Sequence, residues 1–171
     1  YISFCSYCFL LTFFTAACPQ IFNLIEKDVL NFSKTEIVFI GNLLILGALA
    51  GFVLGGRMVD KLGTKYVFMF CHFGFGAILI LFLTRSLFPG KIIVFVGILT
   101  LLFGLVQAAS GLAMTSETLV LIPKKNKSLA TGLWFTLYSG GAGLSGFLSS
   151  KVLELNLINP EWSLFGLPMS S

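Results

Sequence analysis

Gly55-Gly56-Arg57-Met58-Val59-Asp60-Lys61-Leu62-Gly63-Thr64-Lys65 separates two apolar runs, about residues 37–55 and 66–83. Each run approaches the roughly 20 apolar residues that an α-helix needs to cross a bilayer. The turn between them collects the charges. Glycine lets two helices approach closely and reverse sharply at a membrane surface, so the stretch reads as a transmembrane hairpin with a tight, charged tip.

Three further apolar runs extend the pattern outward. The first covers about residues 1–25, contains Pro19 and ends at Glu26, Lys27 and Asp28. Proline within a spanning helix kinks it and frees a backbone group that a neighbour must satisfy. The run at 37–55 is preceded by Ser33-Lys34-Thr35-Glu36, which has the Ser-x-x-Glu spacing of a capping box. The others cover about residues 92–122 and 128–152, and residues 156–171, with Asn159-Pro160 and Trp162, form an amphiphilic extramembrane loop. The expected fold is all-α, a polytopic transmembrane helical bundle of five spans in a single domain over residues 1–171. No low-complexity linker divides it.

Composition agrees with this. Of the 171 residues, 57% are hydrophobic and 11% charged, against roughly 25% charged in soluble domains; that leaves too little polar surface to cover a water-soluble globule. The chain opens on Tyr1 and lacks a basic segment ahead of a short apolar stretch and cleavage site. It reads as cut from a longer protein, with no removable leader.

The eleven Lys and Arg residues divide by loop. Arg57, Lys61, Lys65, Lys124, Lys125 and Lys127 fall on one side, while Lys27, Lys34, Arg85, Lys91 and Lys151 fall on the other among Glu26, Asp28, Glu36, Glu154 and Glu161. The positive-inside rule therefore places the 55–65 and 123–127 loops in the cytoplasm. The net charge of +4 reads as topology, and no nucleic-acid partner is expected.

The 55–65 hairpin resembles the signature loop of the major facilitator superfamily: Gly, three residues, Asp, a basic residue, one residue, Gly, then two usually basic positions. Gly56, Asp60, Lys61, Gly63 and Lys65 fit, and Thr64 departs. The loop follows the second helix of a unit, as in the family. Glu117, Pro123 and Lys124-Lys125-Asn126-Lys127 resemble another recurring helix end. The resemblance implies a six-helix half-transporter of which five spans are present. The 92–122 run lacks the buried Arg, and the 128–152 run the Gly-Pro pairing, often found in the amino-terminal half. The chain accordingly looks like spans seven to eleven of twelve, with the other half of the transporter missing. It also implies that Asp60 accepts charge-assisted hydrogen bonds in a conformational clasp that breaks as the protein rocks.

The resemblance further implies that the first and fourth spans line a central cavity. Polar groups at membrane depth are functional suspects there, and Gln20, Asn23, Gln107 and Ser110 are the candidates, beside Thr12, Thr15, Thr100 and Thr115. Gln107 and Ser110, three apart, share a helix face. Each could equally be interhelical glue. Small residues around Gly140, Gly141, Gly143 and Gly146 suit close helix packing, and the pairs Ser139/Gly143 and Ala142/Gly146 are spaced four apart. Glu117 is expected to pair with the basic loop, and His72 to be a structural hydrogen-bonder.

Nothing in the pattern indicates an enzyme. No Gly-Lys-Ser phosphate loop is present. Cys5 and Cys8 have Cys-x-x-Cys spacing, but no second pair or nearby His makes a metal site, and no cofactor is implied. The function expected is secondary active transport of a small solute by alternating access, in a plasma or inner membrane, with H+ or Na+ as candidate coupling ion. The alternative is a non-transporting sensor or scaffold that keeps the fold.

Overall fold

The computed structural model describes residues 1–85 and 91–155, together with residues 163–164 and 167–168. The elements are α1 (Ile2–Thr15), α2 (Cys18–Leu24), a π turn (Ile25–Val29), α3 (Lys34–Leu62), α4 (Thr64–Leu83), α5 (Ile92–Leu121) and α6 (Lys127–Glu154). Two short strands follow, β1 (Ser163–Leu164) and β2 (Leu167–Pro168), antiparallel with Ser163 opposite Pro168. The rest of the expected 156–171 loop lies outside the described residues.

Among the described residues four stretches are long and apolar enough to cross a membrane: Ile2–Val29, Lys34–Leu62, Thr64–Leu83 and Ile92–Leu121. The fifth expected span, α6, is not among them, because its Gly, Ser and Thr residues dilute its apolar content. The helix ends differ from the sequence expectation at α3. The Ser33 capping box forms, with Ser33 N–H donating to Glu36 Oε2 at 2.7 Å. Helix then starts at Lys34 and runs on through Arg57, Asp60 and Lys61. Backbone hydrogen bonding continues past the apolar run, since a helix satisfies its own amides in lipid or in water alike.

The described residues divide into two compact units, Tyr1–Asn31 with Thr118–Asn159, and Phe32–Glu117 with Pro160–Ser171. In the first, α1 and α6 run parallel. Tyr1 Oη donates to Ala130 O at 2.6 Å, Thr12 Oγ1 to Tyr138 O at 3.1 Å, and Ala17 N–H to Ser145 Oγ at 3.2 Å. The last bond repairs the break before Pro19, where the chain passes from α1 to α2 and Ala17 N–H turns from its helix to α6. The core includes Cys5, Cys8, Leu11, Cys18 and Phe22.

In the second unit, α3 and α5 also run parallel, and they approach backbone to backbone. A Cβ added at Gly47, Gly51 or Gly55 would strike Leu101, Leu105 or Ala109 respectively. Gly104 answers from α5, its missing side chain admitting the backbone of Leu44. α4 closes on α5 through Phe75 and Phe103, whose ring centroids are 5.4 Å apart, and through Cys71 Sγ, which donates to Val106 O at 3.6 Å. Large apolar side chains remain outside, among them Phe39, Leu49 and Phe52 on α3 and Phe73 on α4. Water would penalise such a surface and lipid accepts it.

Candidate functional site

The 55–65 stretch takes the form of two helix ends joined by a single residue. Gly63, at φ 84° and ψ 161°, closes α3, donating its N–H to Val59 O at 2.9 Å, and opens α4. Residues with a Cβ are strained in that region of backbone space. Gly56 stands against α5, where an added Cβ would lie 3.6 Å from Leu112 Cδ2. Asp60, Lys61 and Lys65 are exposed. Asp60 makes no hydrogen bond or ion pair among the described residues, and it occupies the last turn of α3, where the helix dipole disfavours an acid.

Thr64, the position that departs from the signature, has a partner of its own. Its Oγ1 donates to Glu117 Oε2 at 2.5 Å, tying the start of α4 to the carboxy-terminal end of α5. A hydroxyl thus holds Glu117, where the sequence suggested a lysine of the 124–127 loop. A hydrogen bond to a carboxylate contributes about 1.5–3 kcal/mol. A double-mutant cycle of Thr64→Val and Glu117→Gln should show a coupling of about 1–3 kcal/mol in unfolding. Additivity within about 0.5 kcal/mol would mean that the two groups do not depend on each other.

The four cavity candidates separate by unit. Gln20 and Asn23 are exposed on α2, three residues apart on one face. Gln107 is half-buried and Ser110 buried on α5. Ser110 Oγ and Thr100 Oγ1 are buried without hydrogen-bond partners; Thr100, Gln107 and Ser110 fall at spacings of seven and three along one stripe of α5. The other hydroxyls are occupied. Thr15 donates to Leu11 O at 2.8 Å and Thr115 to Gly111 O at 3.0 Å, each four residues back. His72 Nδ1 lies 2.6 Å from Phe68 O.

Of the α6 glycines, Gly141 faces α1, where an added Cβ would strike Phe9 O and Thr12 Oγ1. Gly140 leaves ordinary room beside Phe9, and an added Cβ at Gly143 or Gly146 would meet nothing within 4 Å. The α3 stripe Gly47, Gly51 and Gly55 was not singled out from the sequence, although its four-residue spacing is the signal of a close helix interface. Two charges assigned to loops are buried. Glu26 belongs to the π turn, and Arg85 follows α4. Arg85 Nη1 donates to Phe82 O at 3.3 Å and its guanidinium sits 5.8 Å from the Phe82 ring; burial pushes its pKa below the usual arginine value.

Long apolar helices with outward apolar faces define a polytopic α-helical integral membrane protein. Within that class the family is specific: the family model of the Major Facilitator Superfamily matches residues 2–165. The chain belongs to that superfamily, a family of membrane transporters rather than enzymes. No curated protein and no solved structure matches the chain.

Proposed function

We propose that the protein is a secondary active transporter that moves a small solute by alternating access, this chain forming five spans of its carboxy-terminal half in a plasma or inner membrane. The observation that carries the reading is the signature hairpin, in which one glycine in a backbone conformation closed to other residues joins α3 to α4. Asp60 stands there without a partner, at a helix end that disfavours it. A cation or a helix N-terminus of the other half would complete it, and that bond is the clasp that breaks on rocking.

Helix directions support the zigzag. In a chain of five alternating spans the first and fifth run alike, as do the second and fourth; α1 lies parallel to α6, and α3 to α5. Two of the small residues of the fifth span meet α1 and the turn after it: Gly141 lies against Phe9 and Thr12, and Ser145 accepts from Ala17 N–H. Gln20, Asn23, Gln107 and Ser110 are the groups we assign to solute binding. The amide and hydroxyl set suits a polar organic solute and does not by itself neutralise a charged one.

The test is uptake of a radiolabelled pool of sugars, amino acids and organic acids into proteoliposomes holding the full-length protein. Uptake is expected from wild type, and a loss of more than half its rate from Asp60→Asn. An unchanged rate in Asp60→Asn would remove the clasp; no uptake of any pooled solute would favour a scaffold.

A further inference from the structure

Cys18, Phe22 and Glu26 succeed one another at four-residue intervals on the buried side of the first span. Glu26 occupies a position in that stripe where an apolar side chain would be expected. It is 0% exposed, and neither Oε1 nor Oε2 has a hydrogen-bond partner. The π turn that carries it ends the first span and is closed by Leu30 N–H donating to Ile25 O at 2.9 Å.

The charged and titratable groups on the same span, and those at the end of α6 in the same unit, have partners of their own. Lys27 and Asp28, on the same turn, point outward and stand 3.7 Å apart. On α2, Cys18 Sγ donates to Phe14 O at 3.4 Å. At the end of α6, Lys151 pairs with Glu154 at 2.6 Å. Among the described residues no opposite charge compensates Glu26.

An ionised carboxylate without a partner in an apolar interior is far more costly than the neutral acid, which forfeits only ordinary hydrogen bonds. The geometry also selects what the group can bind. Both oxygens are sealed from solvent, so an organic cation cannot reach them. Among the described residues Glu26 belongs to no group of three His, Cys, Asp or Glu side chains of the kind that holds a zinc-type metal ion, and a hard cation would need several further oxygen ligands around the carboxylate. A proton needs neither room nor further ligands.

We propose that Glu26 is a proton-binding site, protonated in the buried arrangement seen here and ionised when the protein exposes it to water, so that solute movement is coupled to a proton gradient. The proton comes from water on one side and returns to water on the other. The coupling rests on the transport reading above; proton binding by Glu26 does not.

Two measurements on the reconstituted full-length protein separate these. Infrared spectroscopy at neutral pH should show a protonated-carboxyl C=O band in wild type that is missing from Glu26→Gln and that fades as pH is raised. Identical bands in the two proteins would overturn the proposal. Glu26→Gln, which keeps the shape without the titration, should melt at or above the wild-type temperature, so a lost band does not signal a lost fold. Uptake of the labelled pool under an imposed proton gradient should be stimulated in wild type and unstimulated in Glu26→Gln. Stimulation equal to wild type in Glu26→Gln would refute the coupling and leave the transporter reading standing. Absent uptake in both proteins would count against the transporter reading, while the infrared band still decides whether Glu26 holds a proton.

Discussion

Gly51→Val is expected to prevent stable folding, with a cost at or above the top of the roughly 1–3 kcal/mol that overpacking usually incurs. The reason lies in what the new side chain would meet. A Cβ at Gly51 strikes the backbone of Leu105, not the end of a side chain that could swing away. Relief requires α3 and α5 to separate, and that breaks the neighbouring contacts of Gly47 with Leu101 and Gly55 with Ala109, where an added Cβ would already lie 2.8 Å from Ala109 Cβ. Gly76→Val is the control, since its Cβ would meet nothing within 4 Å. Thermal melting of the purified protein in detergent should show Gly76→Val near wild type and Gly51→Val far below it, or absent from the folded fraction. Equal melting of the two would mean that α3 and α5 are not in backbone contact.

That stripe also marks what a linear reading finds and what it passes over. Apolar length locates the helices well, because a span must satisfy all its backbone groups internally and so declares itself by an unbroken run. Such runs say less about ends. The α3 helix continues through Arg57, Asp60 and Lys61 to Leu62, so the hairpin tip is one residue wide and not an eleven-residue loop. Glycine spacing of four was readable on α3 as on α6, but which glycine faces a neighbour depends on how the helix is rotated; on α6 it is Gly141 that approaches α1.

Charges were the least legible. Glu26 and Arg85 look like loop residues by type, and only the stripes they extend, Cys18-Phe22-Glu26 and Phe75-Ile78-Phe82-Arg85, reveal that they turn inward. The Thr64–Glu117 bond joins positions 53 residues apart in sequence. No local pattern announces a tertiary hydrogen bond of that kind, and the departure of Thr64 from the signature was its only trace.

Gly63→Ala and Gly63→Leu should each cost about 1–3 kcal/mol, and by nearly the same amount. Gly63 stands in open space, where an added Cβ meets nothing within 4 Å, but its backbone holds φ at 84°. The penalty there is conformational and is incurred by the first carbon, so a larger side chain adds little. At Gly51 the penalty is steric, and Ala, Val and Leu should destabilise in increasing order. Melting temperatures of the two series therefore distinguish the mechanisms: flat at Gly63, graded at Gly51. Strain at Gly63 has a second outlet, since the turn can relax by shifting the start of α4 against the end of α3. Such a shift would draw Thr64 away from Glu117, so in a Gly63→Ala background the coupling between Thr64 and Glu117 should fall toward zero. A graded series at Gly63, or a coupling that survives there undiminished, would show that the single-residue turn does not set the geometry of the hairpin.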